Sequence, residues 1–234
     1  PLVYLISFFG VFYASLTTLR QIDLKKIIAY SSVIHMNYLM FGLFAFNLEG
    51  LVGSLILMVA HGFVSGGLFV CVGILYDRYH TRLQKPYGGL NYFMPIFSFF
   101  FLIFTLANIS FPGSINFIGE FLVLLGIFMK NILVGILLMF MMIFSTCYAL
   151  WLYNKIFSGL LIQSVFISKI KLNGVLFNSV TFKRLFLMNF TDINIRELFS
   201  LLYLIVPTIY LGLNPSDLID RIELYFLFTL TSQI

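Results

Sequence analysis

Glu120, in the stretch GSINFIGEFLVLLGIF (113–128), is the only certainly charged side chain from Pro86 to Met129. Two histidines are set just as deeply in apolar runs: His35 in AYSSVIHMNYLMF and His61 in MVAHGFVSGG. A carboxyl and two imidazoles share one chemistry above others, the acceptance and release of protons. Imidazole, with an ordinary pKa near 6.5, can do both close to physiological pH. A carboxylate in a bilayer interior costs about 2.5–3.5 kcal/mol on insertion scales, so such residues face the bundle interior and mark ion or proton paths. The bland alternatives are an interfacial Glu120 snorkelling near Lys130, about 15 Å further along a helix, and histidines that are merely satisfied core residues.

Spacing adds to the case. Ser31, His35 and Tyr38 follow i, i+4, i+7 and share one helix face, with Asn37 off it. Ser54, His61 and Ser65 likewise line a face at i, i+7, i+11. Lys25 and Lys26 stand at the mouth of the same run as His35, where a solvated pair is the simpler reading. Gly62, Gly66 and Gly67 fit close helix packing. Cys71 and Cys147 lie inside apolar runs and read as buried thiols, with neither a disulfide framework nor a CxxC metal site. No GxGxxG or Walker pattern occurs, and no haem, iron–sulfur or flavin ligand set is visible. Any redox chemistry must lie elsewhere.

The elements that must position these groups are set by hydropathy. Of the 234 residues, 61% are hydrophobic and 10% charged, against roughly a quarter charged in a soluble domain; the mean hydropathy is +1.03. Repeated apolar runs of about 20 residues indicate transmembrane helices. A barrel would instead alternate over segments of roughly 10 residues. The fold class is therefore all-α, a polytopic helical membrane protein. The first apolar run has no basic n-region or cleavage site for a signal peptide. The chain starts with Pro1 inside that run, as expected of a trimmed or partial polypeptide.

Spans are expected over 1–19, 27–48, 51–76, 131–154 and 198–213, with the amphipathic tail 216–234 lying at the interface. The remaining stretch, 92–129, could cross once or twice. Lys and Arg concentrate on the inner side of a membrane. A single crossing puts Arg20, Lys25, Lys26, Arg78, Arg82, Lys85, Lys155, Lys169, Lys171, Lys183, Arg184 and Arg196 together, leaving Lys130 and Arg221 opposite, 12 of the 14 against 2. Two crossings make the split about even. One crossing wins, and it implies a discontinuous helix broken at Pro112 and Gly113, giving about six transmembrane helices. Proline removes a donor and clashes with the preceding turn, and glycine tolerates the bend. Broken helices of this kind mark ion and substrate sites in transporters; a simple kink is the alternative. Residues 1–157 then form the helical body, 158–196 a polar connection and 197–215 the last span. The net charge of +5 follows from this placement, with no need for a nucleic-acid partner.

The segments LRQIDLKKIIAYSSVIHM (19–36), LILMVAHGFVSGGLF (55–69), LYDRYHTR (75–82), YGGL (87–90) and LANISFPGSINFIGEF (106–121) resemble the C-terminal half of mitochondrial NADH dehydrogenase subunit 4, an antiporter-like membrane subunit of respiratory complex I. The likeness runs in order from about residue 10 to 157 and resumes at INIRELFSLLYLIVPTIYLGLNP (193–215). It implies a relay in which Glu120 is the terminal acid, His61 and His35 are intermediate carriers and Lys25 is a matrix-side charge near the entry. Quinone reduction elsewhere in the complex would drive it, with NADH, FMN, iron–sulfur clusters and ubiquinone held by other subunits. The implied partners are the subunit 2-like and 5-like antiporter subunits, membrane lipids and, if the subunit is split and this chain is not a partial product, a separate chain carrying the N-terminal half. The implied location is the mitochondrial inner membrane, with the connection 158–196 on the matrix side. The family's N-terminal half holds another glutamate, two lysines and a first broken helix, none of them in this sequence. A cation/proton antiporter subunit of the Mrp type and a purely architectural subunit are the rival readings.

Overall fold

A computed structural model describes residues 1–85, 87–158 and 192–231. Most of the expected connection, 159–191, lies outside them, with Lys169, Lys171, Lys183 and Arg184. The described residues form eight α-helices and no strand: α1 Leu2–Arg20, α2 Leu24–Leu43, α3 Leu48–Tyr79, α4 Pro95–Asn108, α5 Ile115–Lys130, α6 Ile132–Phe157, α7 Ile195–Leu213 and α8 Ser216–Thr231. Four of them, α1, α3, α6 and α7, are long and apolar enough to cross a membrane by themselves. Helix α2 matches them in length, at 20 residues, but carries Lys25, Lys26 and its buried polar face.

The expected broken helix is α4 plus α5, with boundaries 95–108 and 115–130. Its course is readable from both ends. At the start of α4, the Asp192 carboxylate accepts from the N–H groups of Ile96 and Phe97 (3.0 and 3.2 Å), while Arg78 near the end of α3 donates to the Asp192 carbonyl. At the end of α5, Asn47 just ahead of α3 donates to Gly126 O, and Lys130 Nζ donates to the carbonyls of Phe44 and Ala45. The pair therefore makes one traverse, antiparallel to α3.

Between the two half-helices the backbone is shaped by local chemistry. Ser110 N donates to Ala107 O and Phe111 N to Leu106 O, the two bonds of a Schellman stop. The residue in the left-handed conformation is Ser110 (φ 62°), where glycine is usual and a β-carbon costs roughly 1–2 kcal/mol. Pro112 then prevents helical continuation. Gly113 turns the chain at φ 99°, and Ser114, extended, precedes α5.

Small residues let α3 and α5 approach backbone to backbone. A Cβ on Gly53 would meet Leu122 Cβ at 2.6 Å, one on Gly119 the Cα of Leu57 at 2.9 Å, and one on Gly126 the Cα of Gly50 at 2.7 Å. This seam corrects the expectation built on Gly62, Gly66 and Gly67. Only Gly67 is closely packed, against Phe104; Gly62 and Gly66 meet nothing within 4 Å. The cysteines need a similar correction. Cys71 is buried, but Cys147 is exposed on α6, and both are free. Tail helix α8 lays Leu218, Ile219, Ile222 and Phe226 against Val52, Ile56, Ala60 and Ile115.

Candidate functional site

Five helices send polar side chains to one buried place. Glu120, in the second turn of α5, sets Oε1 3.0 Å from His35 Nδ1 of α2. His35 Nε2 lies 3.1 Å from Oδ1 of Asn108, the last residue of α4. His61 of α3 lies beside His35 with ring centroids 5.4 Å apart and planes tilted by 37°. Tyr148 of α6 buries its hydroxyl in the same region, without a hydrogen-bond partner. One turn before Glu120, Asn116 is wholly buried, and neither of its amide atoms has a hydrogen-bond partner.

The pair is well hidden, with side-chain exposures of 1% for His35 and 7% for Glu120. Removing two charges from water is costly unless they neutralise each other and find further hydrogen bonds. Here the imidazole provides the first and Asn108 the second. His35 lies 11 residues into a helix of 20, or about 16 Å along one of about 30 Å, near its midpoint. The snorkelling alternative for Glu120 therefore has no geometric footing. Lys130 is engaged by two carbonyls and stands over the rings of Tyr4 and Phe46, while Glu120 meets His35.

Three of the four residues singled out in sequence thus come together: Glu120, His35 and His61. Lys25 does not join them. It is exposed at the start of α2, ten residues or about 15 Å along the helix from His35. Its neighbour Lys26 makes an exposed pair with Asp23 at 3.4 Å. Two serines of the stripes are absorbed locally, Ser31 on Ile28 O and Ser54 on Leu51 O, a habit of hydroxyls inside helices. Asn108 and Tyr148 were not singled out as site residues. A polar residue just ahead of a helix break was the available signal for Asn108; nothing set Tyr148 apart from an ordinary aromatic in an apolar run.

His35 and His61 make no direct hydrogen bond, and the Nδ1 of His61 is buried without a partner. A proton can pass between Glu120 and His35 as they stand, since 3.0 Å is within transfer reach. Between the imidazoles a ring must turn or a water must bridge. Among the described residues no group of three or more His, Cys, Asp or Glu is arranged to hold a metal ion.

Antiparallel helices around a broken one, with an acid and imidazoles at the break, define an antiporter-like membrane bundle. Residues 1–147 match the family described as NADH:quinone oxidoreductase/Mrp antiporter, transmembrane, and the chain belongs to that family. Among individual relatives, NADH-ubiquinone oxidoreductase chain 4 of Marchantia polymorpha is 47% identical over 220 residues, covering 94% of this chain and 40% of that protein. A chain of respiratory complex I from Thermus thermophilus with bound NADH superposes with a TM-score of 0.77 at 26% identity, over 94% of this chain and 43% of that one. A chain of the Mrp complex from Dietzia sp. DQ12-45-1b shares the fold, with a TM-score of 0.76 at 16% identity over 94% and 45% of the two chains. The likeness to subunit 4 drawn from the motifs is borne out. The chain spans about 40% of the length of the curated relatives it matches.

Proposed function

We propose that this chain carries protons across the membrane as part of an antiporter-like subunit of NADH:ubiquinone oxidoreductase. Glu120, His35 and His61 are the carriers, and Lys25 is a charge at the mouth of the path. The observation that carries this reading is the Glu120–His35 contact: an exchangeable acid–base pair, hidden from lipid, beside the only break in a traversing helix among the described residues. Its energy source is quinone reduction in another part of the complex. NADH, FMN, iron–sulfur clusters and ubiquinone belong to other subunits, and this chain does no redox chemistry. Its partners are the subunit 2-like and 5-like membrane subunits of the same complex. Its setting is the mitochondrial inner membrane. No nucleic acid takes part.

Glu120→Gln tests the reading. The amide keeps the shape and the contact but cannot exchange a proton, so proton translocation per electron pair should fall in a complex that still assembles. Unchanged stoichiometry in the intact complex would refute it. The family description also includes Mrp antiporters, which favours a second reading, cation/proton exchange. Transport of a metal cation by reconstituted vesicles without any electron donor is the result that would select it.

A further inference from the structure

We propose that Asn108 is a positioning residue that sets how many protons the His35–Glu120 pair holds; the idea rests on the relay reading above. The reasoning is one of counting. The carbonyl Oδ1 of Asn108, 3.1 Å from His35 Nε2, has no hydrogen to give, so Nε2 carries the one in that contact. Nδ1 lies 3.0 Å from Glu120 Oε1, where two bare lone pairs would repel, so a second hydrogen lies between them. It belongs to nitrogen, as imidazolium and carboxylate, or to oxygen, as neutral imidazole and carboxylic acid. Either way the pair holds two protons and carries no net charge.

Turning the amide by half a turn reverses the count. Its NH2 group then donates to a bare Nε2, the ring keeps its single hydrogen on Nδ1, and that hydrogen is given to an ionised Glu120. The pair now holds one proton and a charge of −1. The change releases one proton from the Nε2 edge of the ring, and His61, with its unpartnered Nδ1 in the adjacent ring, receives it once a ring turns or a water bridges the two. Glu120 and His35 lie on continuous helices, but Asn108 is the last helical residue before the Schellman stop. Any shift of the α4 end against α2 therefore moves the amide relative to the ring. The break and the proton count are coupled through one side chain.

The test reads the ring itself. In the assembled complex labelled with 15N-histidine, solid-state NMR should find His35 protonated on Nε2, its signals identified by their loss in His35→Gln. Asn108→Leu removes the acceptor and should lose the Nε2 hydrogen, leaving the Nδ1-protonated ring. Asn108→Asp, whose carboxylate when ionised can only accept, should keep Nε2 protonated, and it serves if the leucine variant fails to assemble. A native ring bare at Nε2, a ring unaltered by Asn108→Leu, or a bare Nε2 beside Asp at 108 would overturn the assignment. Proton pumping that survives Glu120→Gln while the tautomer moves as described would remove the relay and leave the role of Asn108 standing.

Discussion

Two carboxylates in this chain reach across long stretches of sequence to a nitrogen-bearing side chain, and they meet different partners. Glu120 finds His35, 85 positions away, at 3.0 Å. Glu197 finds Arg78, 119 positions away, at 2.7 Å. Both contacts join helices far apart in sequence. The partners differ in whether they can let go of a proton. A guanidinium keeps its charge at any pH a protein meets, so Arg78–Glu197 is a fixed tie. An imidazole exchanges near neutrality, so His35–Glu120 is a tie that can open. Exposure follows the same division, at 10% and 24% for the arginine pair and 1% and 7% for the histidine pair. The proposed relay runs through the pair that water reaches least.

The largest effects should come from making the buried pair inert. His35→Gln leaves a neutral side chain able to bridge Glu120 and Asn108 but unable to take up a proton. Proton translocation should fall roughly a hundredfold or more, the scale of losing a positioned acid–base group, while the complex still assembles. Redox-driven proton uptake by membranes carrying the variant measures it, and a native rate would erase the distinction between the two pairs. His61→Leu should cost nearly as much transport, with native assembly. If it were tolerated, His61 would be packing and the path would end at His35.

Breaking the fixed tie should do the opposite. Arg78 NH2 donates both to Glu197 and to the Asp192 carbonyl, so Arg78→Met strands a half-buried carboxylate and loosens α7 against α3. Lost hydrogen bonds to a charged group are worth about 1.5–3 kcal/mol each. Thermal stability and yield of the assembled complex should drop, and Arg78→Lys should recover only part. Transport per assembled complex should remain native. A transport defect exceeding the assembly defect would mean that the surface pair also steers protons.

How far the sequence foretells this arrangement depends on the kind of question. A lone acid in a run of apolar residues is conspicuous because its cost in lipid is high, so Glu120, His35 and His61 stand out. The break is legible too, since Pro112 and Gly113 interrupt an apolar stretch whose charge balance permits one crossing. Partnerships are not legible. Helical periodicity assigns residues to a face of their own helix and says nothing about which face of which neighbour it meets. Asn108 lies 73 positions from His35, and no spacing rule connects them. The glycines teach the same lesson: a small side chain permits close approach, yet Gly62 and Gly66 are unused while Gly53, Gly119 and Gly126 carry the seam. Lys25 entered the proposed relay through resemblance, and its place at an exposed helix end is where a charge costs least.

The smallest expected effect sharpens the contrast between ties that hold and ties that act. Asp192 belongs to the arginine cluster, yet its carboxylate caps the first N–H groups of α4 from a segment 95 residues away, a position where negative charge is favoured by the helix dipole. Asp192→Ala should cost about 0.5–2 kcal/mol, the usual range for a lost N-cap, visible as a modest fall in melting temperature. Helix α4 is also the half-helix that ends in Asn108, so its anchoring at one end bears on the amide at the other. If the cap only holds α4 in place, the His35 ring should keep its Nε2 hydrogen in Asp192→Ala. A changed tautomer at that distance would mean that the surface cluster and the buried pair are one device, joined by the short rigid helix between them.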